Sequence, residues 1–291
     1  MSTSRRRRAR AYWSQCEVRF YCRQDVEAAI SAVEFDLGDY AGVERLLRAD
    51  LQRSEGEREG IKNGRDIEAG YIRGSGIEFG YFTQVILDDP DWIAAIKATR
   101  GRSIVTVEKL MNLFLIVKYS EIREANIIEY GSFQGGGALF LAALAKRLRT
   151  DCKVFALDTF EGMPGTHEEL DRHRAGGFSD VDLQGFEQAR EEEGLDNLII
   201  LRGLFQDTVG LIAPEDRRFF LSHVDCDVYD SAVFSIEFSK RHAVPGSYNT
   251  LDDPLASDCI GAMQAAEERL VQQGLFVEQV YPHFVYRYPP L

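Results

Sequence analysis

The stretch Asn126-Ile-Ile-Glu129-Tyr-Gly131-Ser132-Phe-Gln-Gly135-Gly-Gly137 continues as an Ala- and Leu-rich run to Leu148, then reaches Lys153-Val-Phe-Ala-Leu157-Asp158. It reads as a short apolar strand over 126–129, a glycine turn, a helix over 135–148 and a second apolar strand over 153–157. A helical crossover between two strands makes them parallel neighbours. The alternation recurs downstream. Strands are predicted over 197–201, 218–224 and 247–251, with helices over 186–193, 231–241 and 260–273. Two last apolar runs, 276–280 and 284–288, are joined through Pro282 and read as strands of a C-terminal hairpin, which needs antiparallel pairing. The expectation is an α/β fold: a mostly parallel, Rossmann-like sheet covered by helices on both faces.

Working outward to the N-terminus, the pattern changes. Helical spacing appears over 26–35 and 40–51, broken at Gly38-Asp39, followed by a polar, charged stretch over 52–68 and a glycine-rich one over 70–80. Asp89-Pro90-Asp91 opens another helix, with proline in its first turn, and 106–119 forms a further helix leading into the core. The predicted division is a mainly helical extension over 1–102 and an α/β domain over 103–291. Oligomer contacts through the N-terminal helices would cover their apolar faces.

Composition narrows the function. A net charge of −13 opposes a polyanion, so no nucleic-acid partner is expected. No apolar run reaches the ~18 residues of a membrane span. Arg5–Arg8 and Arg10 lack a following apolar segment, so a cytoplasmic protein is expected. The five cysteines form no CxxC pair, which argues for reduced thiols over a zinc motif or a disulfide scaffold.

In such sheets ligands bind beyond the C-terminal ends of the strands. After the first strand, Gly131, Ser132 and Gly135 form a turn that allows close ligand approach to backbone and aims a helix N-terminus at the site. It is neither the GxGxxG of a dinucleotide fold nor a P-loop. After the second strand stands Asp158, placed to accept hydrogen bonds from both hydroxyls of a ribose. Glycine turn and acid together point to an adenosine-type ligand.

The fourth strand ends in His223-Val-Asp225-Cys-Asp227, the fifth in Asp252-Asp253-Pro254. Asp225, Asp252 and Asp253 would then meet at neighbouring strand ends, where a hard divalent cation relieves their repulsion. Mg²⁺ suits such oxygen ligands. His167 and His223 read as structural, and Tyr229 as packing. Asp225-Cys-Asp227 is also formally the DxD of sugar-nucleotide transferases, a reading that leaves Glu129–Gly137, Asp158 and Asp252-Asp253 without a role. A non-catalytic protein on this fold would have no use for the acidic trio.

These stretches also occur together in a known family. Glu129-Tyr-Gly131 with its glycines, Asp158-Thr-Phe-Glu-Gly-Met-Pro164, Gly177-Phe-Ser-Asp180 and Gly203-Leu-Phe-Gln-Asp-Thr208 appear in order. Val224-Asp225-Cys-Asp227-Val-Tyr229, Asp252-Asp253 and Cys259-Ile-Gly-Ala262 follow. Over residues 105–290 the chain resembles the macrocin O-methyltransferase family, which methylates sugar hydroxyls of natural products. The resemblance implies a seven-stranded class I methyltransferase sheet, S-adenosylmethionine as donor, Mg²⁺ as metal and a small-molecule hydroxyl acceptor that is glycosylated. It implies that Glu129 and Gly131 line the methionine end of the donor, with Asp158 at the ribose and Thr159 and Phe160 at the adenosine. Phe205 and Gln206 would border adenine. Asp225, Asp252 and Asp253 would hold the metal, with Asp225 as general base. Pro254 departs from the aromatic residue common after the aspartate pair, and the fifth strand is more polar than usual.

Overall fold

The computed structural model describes residues 82–288 apart from 150, 257 and 276. The segments read over 26–35, 40–51, 52–68 and 70–80, and the oligomer contacts proposed for them, lie outside these residues. Helices α1 (Phe82–Leu87), α2 (Pro90–Ala98) and α3 (Val107–Tyr119) precede the sheet. Then follow β1 (Asn126–Tyr130), α4 (Gly136–Leu148), β2 (Val154–Asp158), α5 (Leu183–Glu192) and β3 (Leu198–Arg202). After a short helix α6 (Phe205–Thr208) come β4 (Phe219–Val224), α7 (Tyr229–His242), β5 (Ala243–Leu251), α8 (Ile260–Arg269) and β6 (Phe284–Tyr288).

The strand order is β3-β2-β1-β4-β5-β6. The first five strands run parallel, and β6 pairs antiparallel with β5 from Ser247↔Tyr288 to Leu251↔Phe284. Every residue of β1 and of β4 is buried, as expected of central strands covered on both faces. From β1 the chain steps outward through α4 to β2; from β4 it steps the other way through α7 to β5. Right-handed crossovers in opposite directions put α4 and α7 on opposite faces. The reversal between β1 and β4 opens a crevice at their C-terminal ends.

The sheet has six strands among the described residues, where seven were expected. The run after Leu275 contributes a single bridge, Gln279↔Val285, in place of a strand. Gln279 turns its amide to Asn112 of α3 at 3.0 Å, and Pro282 has no N–H to continue a ladder.

Helix α2 starts as its sequence dictates: Asp89 caps it by accepting the Asp91 N–H at 2.9 Å, and Pro90 takes the first turn. Trp92 then packs edge-on against Phe140 of α4 at 5.4 Å and Phe114 of α3 at 5.8 Å. These three helices form one apolar layer. No helix among the described residues is long and apolar enough to cross a membrane.

Candidate active site

Beyond Tyr130 the chain must turn sharply under β4, and only glycine fits. Gly131 has φ +88°, and a Cβ there would sit 1.6 Å from the carbonyl oxygen of Asp225. A Cβ on Gly137 would sit 2.3 Å from Glu129 Oε1. Gly135, the cap of α4, presses on the Phe186 ring, which stands 2.2 Å from its would-be Cβ. Asp158 ties the turn to β2: Oδ2 accepts the Phe133 N–H at 2.8 Å and Oδ1 accepts the Phe160 N–H at 2.7 Å. Burial pushes the Asp158 carboxyl up, against those N–H donors. Its oxygens keep further lone pairs toward the crevice. Arg102 clamps the far side, donating to the Gln134 carbonyl at 2.7 Å and the Asp182 carbonyl at 2.6 Å.

The crevice holds a cavity of about 620 Å³. Seven of the sequence-read donor residues line it: Glu129, Gly131, Ser132, Asp158, Thr159, Phe205 and Gln206. Two others do not. Gly135 faces Phe186, and Phe160, at φ +54°, turns its ring back onto Phe186 at 6.0 Å. Both support the turn from behind. Inside the cavity wall, Glu129 Oε2 and Ser132 Oγ are buried without a protein partner, polar atoms that suit a polar ligand.

At the other end, oxygens of Asp225, Asp252 and Asp253 lie within 4.8 Å of one another. Their surroundings differ. Asp253 Oδ2 accepts the N–H groups of Cys226 at 3.0 Å and Asp227 at 2.9 Å, which fix it across the exit of β4. Asp252 is paired with Lys109 of α3 and with two imidazoles: His283 Nε2 at 3.1 Å and His223 Nε2 at 3.5 Å from Oδ1. Burial opposes its ionisation, yet His223 and His283 hold Asp252 far below the usual carboxylate range. Burial raises Asp225 and Asp253, and neighbouring carboxylates raise them further. Lys109 and the imidazole of His223 bring positive charge to these acids. These oxygens fit a hard divalent ion.

His223 links the two ends. Its Nδ1 lies 3.2 Å from Glu129 Oε1, and it is fully buried. Burial disfavours its charge, but Asp252 and Glu129 outweigh that and hold it up at about 10. His283 is neutral, pushed down to about 4 by burial despite its bond to Asp252. Lys109, Asn112 and His283 escaped the sequence reading. Lys109 and Asn112 sit in the ordinary helix pattern of α3 and His283 in the bend before β6, far along the chain from the aspartates, so no local signal marks them. His167 packs on Tyr229, ring centres 5.8 Å apart, and does not line the cavity. Asp225 groups with Asp252 and Asp253, whereas Asp227 groups with Asp253 and Cys259 and accepts from the Cys259 thiol at 3.2 Å.

The profile of the macrocin O-methyltransferase (TylF) family matches residues 91–275. The chain belongs to this family. It is a macrocin O-methyltransferase family member, an S-adenosylmethionine-dependent O-methyltransferase, and the match begins at α2, upstream of the resemblance read from the motifs. The O-methyltransferase NovP has a similar fold, with TM-score 0.54 and 19% identity over 70% of this chain and 93% of that one. The calicheamicin methyltransferase CalS11 is similar at TM-score 0.54 and 15% identity, over 69% of this chain and 94% of that one. At such identities these two show the fold alone. Among curated proteins, no sequence matches the chain.

Proposed function

We propose that this macrocin O-methyltransferase family enzyme methylates a sugar hydroxyl of a glycosylated natural product, with Mg²⁺ held by Asp225, Asp252 and Asp253. One observation carries the reading: a glycine-lined donor site and a three-carboxylate site open into the same cavity. NovP and the calicheamicin methyltransferase share the fold, and the family carries macrocin in its name.

When bound, the donor supplies a sulfonium methyl and Mg²⁺ supplies a charge that lowers the pKa of an adjacent hydroxyl. The chain's residues do the rest. Gly131 and Gly137 let the donor approach the backbone, Glu129 Oε2 offers an unpaired acceptor to its ammonium, and Asp158 takes the ribose hydroxyls. Thr159, Phe205 and Gln206 border the nucleoside. Orienting the acceptor oxygen in line with the methyl and excluding water turns an encounter into a positioned displacement. The bound donor would supply the methyl to the acceptor oxygen, and Asp225 would accept the hydroxyl proton.

Asp225→Asn and Asp252→Asn should abolish turnover while calorimetric binding of S-adenosylmethionine survives. Full activity in excess chelator would refute the metal. A panel of glycosylated metabolites, scanned by mass spectrometry for a gain of one methylene unit, tests the acceptor; methylation of aglycones only would overturn the sugar assignment.

A further inference from the structure

The loop between β2 and α5 closes on itself at its neck. There the Met163 N–H donates to the Gly177 carbonyl at 2.7 Å and the Gly176 N–H to the Met163 carbonyl at 2.9 Å. It is a compact loop with its ends together. Thr166 and His173 of this loop line the cavity. His167 and Asp171, between them in the chain, do not line it and meet the start of α7 instead.

Helix α7 has no cap of its own. Val228, the residue before it, carries no side-chain oxygen, yet the first N–H groups of a helix need acceptors. Asp171 supplies one from far along the chain. Its Oδ1 accepts the Tyr229 N–H at 2.9 Å and its Oδ2 the His167 N–H at 2.7 Å, so one carboxylate joins the loop to the helix. A negative charge at that end also suits the helix dipole. The His167 ring packs edge-on against the Tyr229 ring, and the Tyr229 hydroxyl donates to Glu268 of α8 at 2.6 Å. Helix α8 leaves room for the carboxylate: a Cβ on Gly261 would stand 1.9 Å from Asp171 Oδ1 and 2.8 Å from the Tyr229 nitrogen. That gives a physical reason for the glycine of Cys259-Ile-Gly-Ala262, which neither the donor site nor the acid trio uses.

We propose that Asp171 is a positioning residue for the acceptor: by capping α7 in the space Gly261 leaves, it fixes the cavity-wall residues Thr166 and His173 relative to Asp225. Tyr229 follows Asp225 closely in the chain, so the acids and the wall share one joint. The effect on the acceptor rests on the proposed function; the joint itself does not.

Trypsin acting on the full-length protein reads the joint, because Arg174 stands exposed beside it. Asp171→Ala should speed cleavage after Arg174 about tenfold or more, since bonds to a charged acceptor are lost and cleavage follows the open population. Gly261→Ala leaves the cleaved sequence intact and should do the same. The double variant should be cleaved no faster than Asp171→Ala alone. Cleavage after Lys146 of α4 should keep its wild-type rate throughout, which separates a freed loop from global unfolding. Should Asp171→Ala fail to fold, Asp171→Asn, which keeps one acceptor oxygen, carries the same readout. A wild-type rate after Arg174 in either single variant, or an equal rise at Lys146, overturns the proposal. With the acceptor that the metabolite panel yields, Asp171→Ala should raise KM about tenfold and leave kcat and S-adenosylmethionine affinity within about threefold. A fall in kcat at unchanged KM overturns the positioning role and leaves the acceptor assignment intact. An empty panel defeats the proposed function and leaves the joint to be decided by trypsin.

Discussion

His283 Nε2 donates to Asp252 Oδ1 across 3.1 Å while its Nδ1 accepts from the Asn112 amide at 3.0 Å. Gln279 completes the chain by donating to Asn112 Oδ1 at 3.0 Å. The acceptor role of Nδ1 fixes His283 as the Nε2–H tautomer, aimed at one carboxylate oxygen. Groups that orient a ligating carboxylate typically matter about 10–100-fold to metal affinity or activity. His283→Ala should therefore raise the Mg²⁺ concentration for half-maximal rate by about that factor, and Asn112→Ala by less. A metal titration of initial rates checks it.

Lys109 reports on the same acids from another side. Burial disfavours its charge, but Asp252 holds its pKa above the usual value. Removing one partner of a buried ion pair costs about 3–5 kcal/mol. Lys109 is 20% exposed and Asp252 keeps two imidazoles, so about 1–3 kcal/mol is expected for Lys109→Met in chelator. Urea melts should show that deficit shrink when Mg²⁺ is added.

His223 gives the metal-free protein a pH signature. Its folded pKa of about 10 lies above the ordinary 6.5, held there by Asp252 and Glu129 against burial. The stability it contributes is complete below pH 6.5 and is lost as pH rises through 10. Asp225 and Asp253, also raised, act in the same sense. In chelator, Tm should fall across that window, and His223→Gln should flatten the fall in part.

Two substitutions separate cavity wall from support. Gly131→Ala forces a Cβ to within 1.6 Å of the Asp225 carbonyl and strains a left-handed φ, which alone costs about 1–3 kcal/mol. Loss of S-adenosylmethionine binding by calorimetry is expected. Phe160→Leu should lower stability by about 1 kcal/mol through its packing on Phe186 yet leave donor affinity within about twofold.

The legible part of this protein is what repeats or stands at a strand end. Buried, unbroken apolar runs marked β1 and β4, and acids directly after strands marked Asp158, Asp225 and the Asp252-Asp253 pair. What stayed hidden depends on orientation. Phe160 follows Asp158 by two residues, but its positive φ points the ring away from the cavity. The 276–280 run has a strand's apolar pattern, but among its described residues Gln279 makes a single bridge and bonds Asn112 through its side chain. Lys109 and His283 acquire meaning only once folding places α3 and the start of β6 beside Asp252.

Gly131 touches the Asp225 carbonyl with no side chain between them. The separation of nucleoside cradle from acid cluster is therefore a main-chain dimension, set when β1 and β4 pair and indifferent to rotamer changes. Side-chain changes over residues 159–182 would leave that distance as it is, because the ruler beneath them is built of peptide bonds.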